Sequence, residues 1–336
     1  MALDMGSDQL YKSARVRILR RIVSIIMALV WLWSCGALRF LIGVPSFVVL
    51  AIMIIVPIAA LRSLKWKKPI IIFGAILFVV SLVLLLLEKP KRYKDWIESC
   101  KKPPVVRHSK NGEVVKIDNV REFKWRSIDD YDAAWVTRSY YLDQLDSLDL
   151  VVEPLGDSKL FAHSMLSFGF GPERKVVISA EVRKEKGESF SLISGLYKQF
   201  ELIYQINSER DALTLRGSEE GTQLYIFPIK ASQDFMKSLF VSMTGKAGKL
   251  TDEPKFYHSL RANCTTELFD HIKKNYDGSI SYGRGVLFPA QSGKVLHEMG
   301  WMDTDLDYEE AMEKFRSGMR VRKFADHPDF SKKIRE

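Results

Sequence analysis

Three uncharged apolar runs near the start constrain this chain more than any other feature. From about Ile22 to Leu38, from Phe40 to Leu61 and from Ile70 to Leu87 there is no Asp, Glu, Lys or Arg. Each run is close to the 17–25 residues that cross a bilayer core. Three transmembrane helices are therefore expected across residues 22–87, behind a polar, basic lead of residues 1–21. A cleaved signal peptide is not expected, because two further runs follow and no small-residue cleavage site stands out after the first.

The basic residues around these runs set an orientation. Lys12, Arg15, Arg17, Arg20 and Arg21 lie in the lead, four more basic residues lie in the loop 62–68, and only Arg39 separates the first two runs. Positive loops stay cytoplasmic. An odd number of crossings then exports everything after residue 88. Lys89, Lys91, Arg92, Lys94, Lys101 and Lys102 stand against that arrangement, since they would be exported too.

The sequence pI near 9.2 has the same origin. Residues 1–102 carry 16 Lys and Arg against 5 Asp and Glu, whereas residues 103–336 carry 34 against 36. The larger region has no basic excess to hold a phosphate backbone, so nucleic acid is not an expected partner.

Residues 88–120 read as a linker, with Pro90, Pro103, Pro104 and an Asn111-Gly112 turn signal. The acidic-aromatic stretch 125–132 could hold a cation or could simply be a capped turn. Beyond it the pattern becomes that of strands. Residues 160–170 and 175–183, joined through Gly171-Pro172, form an expected hairpin. Further strands are expected at 203–206, 213–216 and 224–229, with helical patterns at 191–204 and from Ser232 to Leu239. The region 121–300 is thus expected to be an α+β domain with an antiparallel sheet, followed by a peripheral helix and tail over 301–336.

Cys35, Cys100 and Cys264 are too few and too scattered for a disulfide framework, and no CxxC pair suggests a structural metal. Cys264 is the one placed for chemistry. Asn263 before it, and Thr265, Thr266 and Glu267 after it, mark a helix N-terminus with the thiol in the first turn. Free N–H groups and the positive end of the helix dipole favour a thiolate there. The same spacing also suits a small buried hydrophobe.

A catalytic thiol needs a base within hydrogen-bond reach. His271 lies two turns along the same helix, about 10.5 Å of rise away. His258 sits in a turn that could fold back, and His108, His297 and His327 lie in polar connectors. His163 stands in an apolar strand whose hairpin partner carries Glu181, a carboxylate that could orient the ring; a histidine satisfied within the core is the other reading.

Several stretches in order carry a family resemblance: Ala133-Ala134-Trp135, Ala162 to Phe168, Ile178 to Glu185, Glu201 to Tyr204, Glu209-Arg210-Asp211, and Phe256-Tyr257 through Asn263-Cys264-Thr265-Thr266. Over roughly residues 120–290 they resemble the Lnb N-terminal periplasmic domain. That resemblance implies a circularly permuted papain-like, NlpC-type cysteine enzyme, and a lipoprotein N-acyltransferase activity. It implies Cys264 as nucleophile, His163 as general base and Glu181 as its orienter, with Asn263, Tyr257 and Arg183 at motif positions of unassigned role. It further implies a bacterial inner-membrane protein with its main domain in the periplasm and a lipid or lipoprotein as substrate. No cofactor or metal is implied. Two other classes share the same residues: a cysteine amidase or peptidase of the cell envelope, and an inactive papain-like binding module.

Overall fold

The computed structural model describes residues 4–62, 67–217, 221–276, 283, 285 and 288–336. These divide into two units: Met1–Lys89 with Tyr197–Gln199, and Pro90–Leu196 with Phe200–Glu336.

The first unit is built from three helices, α1 (Asp4–Phe40), α2 (Ser46–Arg62) and α3 (Lys67–Leu87). Two of them are long and apolar enough to cross a membrane, over Arg15–Phe40 and Pro69–Leu87; α2 has only the shorter apolar part Ser46–Ile58. The expectation of three spans is therefore corrected to two. The second apolar run loses its beginning because Gly43 adopts a positive φ of 80° and Pro45 cannot continue a helix, so that α2 starts at Ser46. Its 17 residues rise about 25 Å, short of the roughly 30 Å hydrocarbon core. With two spans, crossing parity no longer places residue 88 opposite the N-terminus. Of the basic loop 62–68 used for that orientation, residues 63–66 lie outside the described residues.

The second unit is α+β and opens with a short helix, α4 (Glu98–Lys101). Its strands are β1 (Val105–His108), β2 (Val114–Arg121), β3 (Lys124–Trp125), β4 (Tyr131–Asp132), β5 (Trp135–Tyr141), β6 (Ser147–Pro154), β7 (Ala162–Gly169), β8 (Lys175–Arg183), β9 (Glu201–Ser208) and β10 (Tyr225–Pro228). Eight of them form one sheet in the order β1-β2-β9-β8-β7-β6-β10, with β5 also on β2, while β3 and β4 make a small separate ribbon. Pairing in the large sheet is antiparallel except where Arg121 of β2 meets Asn207 of β9 in parallel. The 162–183 hairpin forms as its alternation predicts. The linker ends earlier than expected: β1 and β2 belong to the sheet, and Val115, Ile117 and Val120 are fully buried.

Helices cover both faces. On one lie α6 (Gln233–Asp252) and α7 (Cys264–Asn275), enclosing a core with Leu166, Phe168, Ile178, Ala180, Tyr204, Phe240 and Leu268. On the other lies α5 (Glu209–Gly217), whose Ala212 and Leu213 pack with Met165, Val177 and Ile226. Residues 213–216, read from sequence as a strand, are helical. Ser208 precedes α5 and its hydroxyl accepts from the Asp211 N–H at 3.3 Å; this Ser-x-x-Asp start outweighs the local alternation.

The C-terminal region is not a tail. After α8 (Ser292–Glu298), helices α9 (Tyr308–Lys314), α10 (Gly318–Lys323) and α11 (Phe330–Lys333) follow, and Val321, Phe330 and Ile334 are buried in the α5-side core. Arg335 lies against Glu209 and bonds Asp149 at 2.6 Å.

Candidate active site

The site is made by a split in the sheet. β7 and β8 pair only from Gly169↔Lys175 to Leu166↔Ile178. Past that point β7 continues on β6 as far as Pro154↔Ala162, and β8 on β9 as far as Arg183↔Glu201. The β8-facing edge of residues 162–165 is thus left without a strand partner. The first turn of α7 occupies the opening: Cys264 Sγ lies 3.9 Å from the Ala162 carbonyl, and the Thr265 hydroxyl donates to Ser164 Oγ at 3.4 Å.

The helix start is held by Asn263. Its Oδ1 accepts from the N–H groups of Thr265 at 3.0 Å and Thr266 at 2.9 Å, and the Asn263 N–H donates to Thr266 Oγ1 at 2.9 Å, a reciprocal capping box. Its Nδ2 donates to the Ser259 carbonyl at 2.8 Å. Asn263 is therefore the residue that shapes the turn carrying Cys264.

Side chains alternate across a strand, so His163 shares a face with Met165, and Glu181 with Ser179 and Val177. That is the α5 side, whereas α7 packs on the opposite face. The split lets the thiol reach through, so that the Cys264 sulfur and the His163 ring act on each other electrostatically. His163 Nε2 lies 2.9 Å from Glu181 Oε1. The oxygen sits off the N–H axis, so the contact joins opposite charges without being an aligned hydrogen bond.

Glu181 is fixed from two further directions. Its Oε1 accepts from the Ser179 hydroxyl at 2.8 Å and from Arg216 Nη2, on α5, at 2.8 Å. Arg216 Nη1 donates to Glu153 Oε2 at 3.0 Å, and Glu153 stands opposite His163 in the β6–β7 register. Sequence reasoning missed Arg216, Glu153 and Ser179. The capping signal at Ser208 would have put Arg216 on a helix, but only the folded register brings Glu153 beside His163.

Electrostatics follow from this packing. Burial alone would keep Cys264 protonated, yet the nearby His163 charge, aided by the Ser164 backbone and the Thr265 hydroxyl, outweighs it and holds the thiol below its ordinary value. Burial also presses His163 towards neutrality; Glu181 prevails, aided by Cys264 and opposed by Arg216, and raises the ring to about 10. Glu181 is buried as well, but His163, Arg216 and Ser179 keep it well below the usual carboxylate range. Near neutral pH His163 is an imidazolium and Glu181 a carboxylate, and the imidazolium favours the thiolate form of Cys264.

Tyr257 is buried beside this group, and burial with the charges of Cys264 and Glu181 pushes its hydroxyl well above its ordinary value, so it stays protonated. Arg183 is elsewhere: its guanidinium donates to the carbonyls of Cys100 at 3.1 Å and Lys101 at 2.9 Å and stacks 4.4 Å from Trp96. It fastens residues 92–101 to β8.

Three other histidines have partners of their own. His271 Nε2 lies 2.9 Å from the Tyr204 hydroxyl and its Nδ1 2.7 Å from Ser242 Oγ, and burial with nearby Lys246 lowers it to about 4. His258 Nδ1 accepts from the Leu260 N–H at 3.1 Å, and His297 Nε2 lies 2.9 Å from the Leu306 carbonyl. Cys100 is buried, which pushes it up to about 11; all three cysteines are free thiols. Among the described residues no cluster of His, Cys, Asp and Glu is arranged to hold a metal ion, and the Arg126, Asp130 and Asp132 side chains of the acidic-aromatic stretch pair with one another.

Fold and site together define a mixed α+β domain that presents a helix-start thiol to a histidine and a carboxylate on a split sheet. Residues 131–298 match the family model of the Lnb N-terminal periplasmic domain, half of the chain, and the protein belongs to that family. No curated protein and no solved structure matches it. Family and apolar helices together make this a membrane-anchored protein with a periplasmic domain.

Proposed function

We propose that the protein is a thiol-dependent acyltransferase of the cell envelope, taking an acyl group from a lipid or lipoprotein ester through a thioester on Cys264. The observation that carries this reading is the Cys264, His163 and Glu181 arrangement: a thiol held below its ordinary pKa beside a protonated imidazole is a nucleophile paired with an acid. It is the logic of papain-like enzymes, and here the histidine strand precedes the cysteine helix in the chain.

The thiolate attacks the ester carbonyl carbon, and the His163 proton passes to the departing alkoxide as the C–O bond breaks. The Cys264 N–H bonds to no described residue, because the cap serves Thr265 and Thr266 instead; it is placed to donate to the oxyanion. An incoming amine then attacks the thioester, gives its proton to His163, and releases the thiolate. Membrane anchoring brings the protein to a surface that carries lipid esters. The inner membrane is the one that a periplasmic domain behind N-terminal spans would occupy.

Intact-mass analysis of the full-length protein in detergent, after incubation with diacylated lipoprotein or phospholipid, tests the proposal. An acyl adduct on wild type that is absent from Cys264→Ala, and does not form in His163→Ala, is expected. No adduct, with Cys264 inert to alkylation near neutral pH, would sink it in favour of a binding module. Cleavage of an envelope peptide without acyl transfer would make it an amidase.

A further inference from the structure

Arg216 lies between two carboxylates, 2.8 Å from Glu181 Oε1 and 3.0 Å from Glu153 Oε2. Three of these side chains are less than a quarter exposed, so little water screens them. Glu181 has one hydrogen-bonding carboxylate oxygen for three neighbours, Ser179, Arg216 and His163.

The charged and titratable groups around Cys264 come from five elements. His163 comes from β7, Glu181 from β8, Arg216 from α5, Glu153 from β6, and Tyr257 from the stretch leading into α7. Glu267, on α7 itself, is engaged by Tyr204 at 2.7 Å and by Lys246, and Arg261 acts on His258. Arg216 is therefore a second cation of the site, after the imidazolium, and Glu153 is its counter-ion on the side away from Glu181.

We propose that Arg216 and Glu153 are positioning residues that set the reactivity of Cys264 with opposite signs. Arg216 holds Glu181 against His163 and adds positive charge that favours the thiolate; Glu153 offsets that charge so that the neighbouring imidazolium is not repelled. With all five groups ionised the cluster carries one net negative charge. Loss of Arg216 makes that two, and forming the thiolate becomes harder. Neutralising Glu153 makes it zero, and forming the thiolate becomes easier. The inference rests on Cys264 being the reactive thiol, but not on what it acylates.

Because His163 keeps its proton up to about 10, the thiol titrates while the imidazolium is still charged, and the alkylation rate of Cys264 against pH reads the effect directly. Cys35 and Cys100 are buried, so in detergent-solubilised full-length protein iodoacetamide reports on Cys264. At a pH on the acid limb, Arg216→Met is expected to slow alkylation about tenfold, the effect of one pKa unit. Glu153→Gln, nearly isosteric, is expected to speed it about threefold on the same scale, and Arg216→Lys to recover part of the loss, since it keeps the charge and not the fork.

Shifts of opposite sign support the proposal. No shift in Glu153→Gln, or a shift in the same direction as Arg216→Met, overturns it; Glu153→Gln alone decides if Arg216→Met does not fold. Opposite shifts in a protein that forms no acyl adduct would keep this inference and discard the acyltransferase reading.

Discussion

Asn263 spends its side chain mainly on backbone groups, and its replacement separates helix shaping from chemistry. Asn263→Ala removes acceptors for two N–H groups and should cost about 1 kcal/mol, read as a lowered thermal midpoint. The same variant should alkylate more slowly at Cys264, because a frayed first turn aims its N–H groups poorly at the sulfur. At His163 the prediction concerns pH. Its folded pKa, about 10, is raised above the roughly 6.5 of an unfolded histidine. Its contribution to stability is then complete below about 6.5 and is lost as pH climbs towards 10. Thermal midpoints across that range should fall less in His163→Gln than in wild type, and an equal fall in both would contradict the ion pair.

Among the elements, α5 joins most of the second unit. Its Asp211 is fully buried and accepts from Arg121, from the Phe123 N–H at 2.7 Å and from Trp125 Nε1 at 2.9 Å. Asp211→Asn leaves Arg121 buried without its charge partner and should cost about 3–5 kcal/mol, visible as a lower denaturation midpoint. The C-terminal helices bear on the same element. Removing residues 318–336 would expose what Val321, Phe330 and Ile334 now cover. Three such side chains are worth roughly 5–9 kcal/mol, comparable with the net stability of a domain. The truncated chain should therefore fail to give a cooperative unfolding transition, whereas a free tail could be removed without effect.

At the scale of the whole molecule the membrane dominates. Apolar side chains such as Phe47 at 75% and Leu86 at 70% exposure are far too open for water. The protein should stay with membranes through alkaline carbonate washing and leave them only with detergent. A cysteine placed at exposed Asn111 should react with a membrane-impermeant maleimide from the periplasmic side. Protection there until the membrane is permeabilised would put the domain on the other face.

Local pattern was enough for much of this architecture, because some features depend only on neighbours in the chain. The membrane-directed N-terminal region, the 162–183 hairpin and the capped helix at Cys264 all follow from hydropathy, alternation and one Asn-Cys-Thr-Thr stretch. His163 and Glu181 could be named as partners because a hairpin makes their strands neighbours. Other features were decided only by tertiary packing. The second apolar helix is shortened by Gly43 and Pro45, which are local signals too, but β1 and β2 joined the sheet where turn-rich composition suggested a linker. Arg183, close to Glu181 in sequence, was drawn away to the carbonyls of residues 100 and 101. Glu153 and Arg216 entered the site through a strand register and a helix packed across the sheet. The split between β7 and β8 has no local signature at all, because strand pairing is a contact between distant segments, and that split is what brings a thiol on one face to a histidine on the other.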